Sequence, residues 1–412
     1  MLVHWIWFSL RQNVSDRMKV ELLQHFRDPE EIFYAGKDAF RNVEGLTEES
    51  FASLQEKDLQ KAEWVLRQCE KEKLGILTYQ DAAYPARLKN ISDPPVVLYY
   101  KGRLPDFDGS PLIGVVGTRQ ASPYGLTAAK RLGYQIARCG GIVVSGMAKG
   151  IDSMAMSGAL TAGGTVVGVL GCGADMVYPA SNRFLFRDME SRGCLISEFP
   201  PGTPPVKWNF PKRNRIISGL SCGVLVVEAP EKSGALITAN QALEQGRDVF
   251  VVPGNIDVPT FVGSNRLLRD GAIAVSSGWD ILSEYEAIYP DKIRREDGKV
   301  HLTVYPDEVA KSAKVAQKVE TPKKNTEGKQ KNDKKVIDKK PQPSYSDVNK
   351  DLSAYTPEER AVITALQSGD RLVDDVIAEV GLPTAKILSM LTIMEIKGII
   401  RRLPGKRIAL KE

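Results

Sequence analysis

The spacing of apolar residues changes character three times along the chain. Up to about residue 75 it is helical. Val20, Leu22, Leu23 and Phe26 form one stripe, and Leu54, Leu59, Ala62, Val65 and Leu66 form another. Between them, in NVEGLTEESFASL, Gly45 breaks one helix and Thr47 caps the next, with Glu48 and Glu49 in the first turn where the helix dipole favours acids. Ser50 stands at the third helical position, so the capping box is incomplete. This resembles a small helix–turn–helix unit. Residues 1–75 are therefore expected to be a helical domain of SAM or helix–hairpin–helix type, serving either as a packing domain or as a DNA-binding hairpin.

From residue 110 the pattern becomes short, nearly continuous apolar runs: Leu112 to Val116, Gly141 to Val144, Thr165 to Leu170, Cys194 to Ser197, Gly223 to Val227 and Asp248 to Val252. Helical stretches follow at Tyr124 to Cys139, Ile151 to Ala162, Asn182 to Arg192 and Ala235 to Gly246. Apolar strands alternating with helices indicate a sheet buried on both faces. The expected fold class is α/β, a Rossmann-like doubly wound and mostly parallel sheet over residues 76–285, with residues 76–105 as an extended, proline-bearing connection. Such sheets bind ligands outside the carboxyl ends of their strands.

The pattern then fades. Residues 286–352 are expected to be a linker, since KNTEGKQKNDKKVIDKKPQPS is Lys-rich and too poor in apolar residues to order itself. It reads as a solvated tether, with non-specific attraction to polyanions as a secondary role. Periodicity returns in residues 353–412. Thr356 with Glu359 matches a capping box, helices are expected at Pro357 to Gln367, Leu372 to Val380 and Pro383 to Lys397, and IIRRLPGKRIAL reads as a hairpin turning at Pro404-Gly405. Three helices and a basic hairpin make a winged helix, suited either to DNA contact or to packing against protein.

Composition narrows the function. The chain has 412 residues, is 42% hydrophobic and carries a net charge of +5, an ordinary globular balance with a mild basic excess. Its five cysteines are widely spaced and include no C-x-x-C. Its three histidines lie far from the glycine-bearing turns in sequence. Neither a disulfide framework nor a zinc site is expected, and no metal or cofactor. No apolar run approaches 18 residues and no signal region opens the chain, so a cytoplasmic protein without membrane contact is expected.

Three motifs carry candidate chemistry. In GVVGTR, Gly117 allows a turn after the first strand of the sheet, Thr118 offers a hydroxyl and Arg119 a cation. In SGMAKGID, Ser145, Gly146 and Gly150 bracket Lys149. Both turns read as anion cradles or as plain strand-to-helix turns. The dinucleotide pattern G-x-G-x-x-G is absent, and no acid ends the second strand, which excludes a standard NAD site. In FPKRNRIISG, Phe210 is suited to stack a base, Lys212, Arg213 and Arg215 to neutralise phosphates, and Asn214 to hydrogen-bond. Aromatic and basic residues interleaved in this way are how single strands are held. Ser233 and Gly234 open a later helix, with Thr238 one turn in, and read equally as a further anion cradle or a cap.

These motifs occur in an order that resembles the DprA family (DNA-processing protein A, also called Smf). The resemblance covers residues 75 to 285 and includes GTR, SGMAKGID, the GCG at Gly171 to Gly173, Tyr178-Pro179, Ser197-Glu198, FPKRNRIISGL, SGALITA, and PGN with the later GSNRLL. It implies a Rossmann-like protein that binds single-stranded DNA cooperatively, protects incoming strands and helps load RecA recombinase during natural transformation, usually as a homodimer. It also implies that Arg119, Lys212, Arg213 and Arg215 line the DNA pocket. Apolar surfaces near Ile216 to Leu220 or on the last helix of the sheet domain are candidates for the dimer interface. The alternative is an enzyme: Glu228, Gly234 and Thr238 echo the motif of LOG-like nucleoside-monophosphate phosphoribohydrolases. The echo is imperfect, because position 241 is Gln241 where that motif has an acid.

Overall fold

The computed structural model describes residues 2–295 and most residues between 356 and 410. The chain divides into two compact units, Met1–Glu320 and Thr321–Glu412.

The first unit opens with five helices: α1 (Leu2–Ser9), α2 (Asp16–His25), α3 (Pro29–Tyr34), α4 (Glu48–Gln55) and α5 (Gln60–Glu72). Thr47 caps α4, its hydroxyl accepting from Ser50 N–H at 3.1 Å. The next residues do not form a plain connection. Strands β1 (Gly75–Thr78) and β2 (Val97–Gly102), with the short helix α6 (Ala86–Lys89) between them, extend the sheet by two antiparallel edge strands. The prolines that suggested a connector sit in the loops, where no ladder N–H is needed.

The remaining elements alternate: β3 (Leu112–Val116), α7 (Pro123–Arg138), β4 (Ile142–Ser145), α8 (Ile151–Thr161), β5 (Val166–Val169), α9 (Arg183–Arg192), β6 (Gly193–Ser197), α10 (Asn209–Leu220), β7 (Gly223–Val226), α11 (Gly234–Glu244), β8 (Asp248–Val251), α12 (Val262–Arg269), β9 (Ile273–Ala274) and α13 (Gly278–Leu282). The sheet order is β1-β2-β6-β5-β4-β3-β7-β8-β9, parallel from β6 to β9. Strand order reverses at β3, where the two halves of a doubly wound sheet diverge. The α10 helix carries the chain between those halves, from β6 to β7.

Each sheet face has its own core. Ile113, Val115 and Val143 pack with α7 and α8 residues Ala128, Leu132, Ala155 and Met156, in one cluster with Trp7, Leu22 and Leu54 of the N-terminal helices. Leu112, Val144 and Val167 pack on the other face with Leu88, Ile216, Ile217, Leu220 and Ala239. Ile216, Ile217 and Leu220 are fully buried, so the first candidate dimer surface is internal to the chain. Tyr289 and Ile293 are buried too, and Arg294 N–H donates to Cys139 O at 3.1 Å, so the chain stays packed to residue 295. The rest of the expected linker lies outside the described residues.

In the second unit, helix α14 (Pro357–Ala365) starts at the Thr356–Glu359 capping box. Strand β10 (Arg371–Leu372), unforeseen because it holds only two residues, precedes α15 (Val373–Val380) and pairs with β12 (Arg407–Leu410), which pairs with β11 (Ile400–Leu403). Val362, Val376, Leu391, Met394 and Ile408 form its core. The expected third helix lies mostly outside the described residues, and the turn at Pro404-Gly405 wholly so.

Candidate nucleic-acid interface

Strands β3, β4, β5 and β6 end at one edge of the sheet, and their turns carry Gly117 to Arg119, Ser145 to Gly150, Gly171 to Gly173 and Ser197-Glu198. Backbone contacts fix the first two turns together. Thr118 N–H donates to Glu228 O at 2.7 Å, and Ile151 N–H donates to Thr118 O at 3.3 Å. Gly150 sits at φ +81°, and a Cβ there would fall 2.5 Å from Thr118 O, so this turn admits only glycine.

The two turns are not open anion cradles. The buried Asp152 carboxylate accepts from Gly146 N–H at 3.1 Å and Ala148 N–H at 3.4 Å. The buried Glu228 carboxylate accepts from Ser122 N–H at 3.0 Å and Ser122 Oγ at 2.8 Å. A carboxylate of the chain therefore occupies the place a phosphate would take on these backbone groups. Asn182 Nδ2 also clamps the second turn, donating to Met147 O at 2.8 Å and Ala148 O at 3.2 Å. Any anion recognition here falls to side chains, of which Arg119 and Lys149 are exposed.

Residues of FPKRNR form the first turns of α10, and helical geometry points them in three directions. Phe210 and Arg213 lie three apart and share the side facing β4 and β5. Arg213 is 4% exposed; it donates to Gly146 O at 2.8 Å and to Val169 O. Burial pulls its pKa down to about 10 against the opposing pull of Asp152, so it stays charged at neutral pH. Gly146 is required by this contact, since a Cβ there would lie 2.5 Å from Arg213 Nη2. Arg213 braces the strand ends from inside and has no path to a solvent phosphate, contrary to the role expected for it.

Lys212 and Arg215 point the other way, into acids. Arg215 Nη2 pairs with Glu198 Oε2 at 2.7 Å and Asp16 Oδ2 at 2.9 Å, and its Nε with Asp93 Oδ2 at 2.9 Å. Arg215 is buried, so it too is unavailable to phosphate. Lys212 Nζ lies 3.1 Å from Glu198 Oε2 and 3.3 Å from Asp16 Oδ2, and remains half-exposed. Burial alone would lower its pKa; Glu198 and Asp16 outweigh burial and hold it above the ordinary lysine value. Asn214 takes the third direction, its Nδ2 donating to Gly234 O at 3.3 Å.

The remaining expected residues divide the same way. Ser145 is buried, donating to Val115 O at 2.6 Å, and Thr238 is buried against Gly234 O at 3.4 Å; both are structural. Ser233 caps α11 through Ala235 N–H. Ser233 and Gly234 line a separate groove of about 620 Å³ with Ile237, Asn240 and Arg266.

What remains at the edge is an aromatic-cationic surface. The Arg119 guanidinium sits 5.5 Å from the Phe210 ring centroid, and the exposed Tyr178 ring lies 5.5 Å from Phe210 at 41°. Trp208, immediately before α10, is 77% exposed beside the exposed Lys207, and Phe184 in the first turn of α9 is 76% exposed. The sequence reading passed over Trp208 and Phe184, although a tryptophan next to a lysine and ahead of the FPKRNR run was a visible signal. Among the described residues no group of three histidine, cysteine or acidic side chains is placed to hold a metal, and no helix is long and apolar enough to cross a membrane.

The chain is similar to known proteins over most of its length. Residues 75–286 match the family described as DNA recombination-mediator protein A, and residues 340–406 match the DprA winged helix domain. The chain is 33% identical to Protein Smf of Synechocystis over 98% of this chain and 97% of that protein. It is 44% identical to DNA processing protein DprA of Bacillus subtilis over 53% of this chain and 74% of the relative. The X-ray structure of DNA processing protein A from Streptococcus pneumoniae superposes with a TM-score of 0.59 at 34% identity, covering 69% of this chain and 98% of that one.

Proposed function

Since the chain belongs to the DNA recombination-mediator protein A family, we propose that it holds single-stranded DNA along the carboxyl edge of its sheet, protects incoming strands and delivers them to RecA recombinase, without a reaction of its own. The observation that carries this reading is the Arg119–Phe210–Tyr178 group: an exposed guanidinium over an aromatic ring, with a second ring beside it. Unpaired bases expose faces that such rings stack, each stacked base contributing about 1–3 kcal/mol, while a duplex keeps its bases inside. Arg119 and Lys149 supply cations for the backbone, and Lys212 a third once its carboxylate partners yield. On this reading the protein acts in the cytoplasm and needs neither a cofactor nor a membrane.

A homodimer is part of the same reading. Its interface is assigned to the sheet edge around α12, where Val262, Ile256 and Ile273 are exposed. The phosphoribohydrolase alternative gains no support, since Glu228 is buried on Ser122 and position 241 is an amide.

The test is twofold. A labelled 30-mer of dT and a duplex of equal length are titrated with protein, and RecA strand exchange is timed on DNA already coated with single-strand-binding protein. Preference for the single strand and a shortened lag support the proposal. Equal binding to both DNAs refutes the stacking site, an unchanged lag refutes the RecA role, and free base released from AMP or CMP revives the enzyme.

A further inference from the structure

The acids around Lys212 and Arg215 come from separate parts of the chain. Glu198 follows β6, Asp93 lies in the loop before β2, and Asp16 is the first residue of α2. Together with Lys19, whose Nζ lies 3.1 Å from Asp16 Oδ1, they form a cluster of three cations (Lys19, Lys212, Arg215) and three carboxylates (Asp16, Glu198, Asp93). Formally it is neutral. Lys19 and Arg215 are buried and fixed; Lys212 is the one cation of the cluster whose side chain is half-exposed. A phosphate approaching Lys212 meets a charge that Asp16 and Glu198 already offset.

We propose that Asp16 is a built-in competitor for phosphate at Lys212, so that the N-terminal helices set how tightly the sheet edge holds a single strand. The inference rests on the single-strand reading above. Glu198 cannot play this part alone: its Oε2 is shared with the buried Arg215 at 2.7 Å, and its burial ties it to the sheet. Asp16 is contributed by a helix outside the sheet, and it touches Lys212 and Arg215 through a single oxygen, Oδ2, while Oδ1 holds Lys19. Any displacement of α2 therefore removes one of the two carboxylates that hold Lys212, leaving Glu198 on it, without unmaking the Arg215–Glu198 pair. The N-terminal region acts as a brake on binding.

The experiment measures dT 30-mer affinity across a salt series for wild type, Asp16→Asn, Lys212→Ala and the Asp16→Asn/Lys212→Ala double variant. Asp16→Asn is expected to bind about eightfold more tightly at low salt, the effect in water of removing one unit charge that lies 3.3 Å from the ammonium. Its salt slope should steepen by up to about 0.7, the increment for one added phosphate contact on a single strand. Lys212→Ala should erase that gain. Should Asp16→Asn fail to fold because Lys19 is left unpaired, Asp16→Asn/Lys19→Met keeps the cluster neutral and carries the same prediction. Unchanged affinity and slope in a folded Asp16 variant would overturn the inference, as would a gain that survives Lys212→Ala. A wild-type protein that does not bind the single strand would instead overturn the reading beneath it.

Discussion

Replacing Arg213 with methionine separates bracing from DNA contact. The guanidinium is buried, donates to two strand-end carbonyls (Gly146 O and Val169 O) and is the main charge opposing the burial of Asp152. Methionine keeps most of the volume but leaves both carbonyls without that donor and Asp152 without that cation. Removing one partner of a buried charge pair costs about 3–5 kcal/mol. Urea melts should register that loss through a lower midpoint at constant slope. The pH dependence gives a second signature. Burial already holds the Asp152 pKa above its ordinary value, and Arg213 opposes that rise. In the variant the carboxyl rises further, so the folded state binds its proton more readily than the unfolded chain does. The destabilisation is then full at neutral pH and shrinks as pH falls toward the unfolded value near 3.9. Adding Asp152→Asn should recover part of the loss, a coupling that a double-mutant cycle reads directly. Unchanged stability together with weaker binding and a salt slope shallower by about 0.7 would refute this reasoning and return Arg213 to the phosphate-contacting role.

Further outcomes follow from the same geometry. Gly150→Ala forces a Cβ to 2.5 Å from Thr118 O at φ +81°; it should cost on the order of 1–3 kcal/mol in thermal melts and lower single-strand affinity by disturbing both turns at once. Trp208 should be quenched when a single strand binds, and Trp208→Ala should remove most of that signal and weaken binding by about 1–3 kcal/mol; titration with no change in emission would place the strand elsewhere. The Asp16 carboxyl resists burial and is held below its ordinary value by Lys19, Lys212 and Arg215. Its contribution to stability is therefore present above pH about 4 and is lost as pH falls through the lower folded value. Asp16→Asn should accordingly show a shallower acid limb in melts taken from pH 6 to 3.

Much of the fold was legible because its signal is local. A run such as Leu112 to Val116 is buried on both faces, so its five residues read as a parallel strand without reference to any other part of the chain. The edge strands around Ile76 and Leu98 escaped notice because prolines and polar residues surround them. Recognising them requires knowing that the β6 edge needs a partner. The site was half legible. Residue type located FPKRNR, but type alone cannot say which side of α10 each residue takes. Phe210 and Arg213 share one side, and Lys212 falls on another. Nor can type reveal that Asp16, 199 positions before Arg215, would meet it. Of the two readings open for the turns, the plain strand-to-helix turn fits better: Asp152 lies in the same motif but reads as an ordinary helix-start acid, while Glu228, 106 positions after Ser122, meets it only after folding.

The most direct test of the central claim is fluorescence anisotropy of labelled oligo-dT against salt, comparing wild type with Arg119→Ala. Arg119 is exposed, over the Phe210 ring, and its loss leaves the core untouched. The variant should bind more weakly at every salt concentration, with a slope shallower by about 0.7 and an unaltered melting temperature. Equal affinity and equal slope for the two proteins would contradict the account, because the exposed cation at the centre of the proposed surface would then make no contact with the strand.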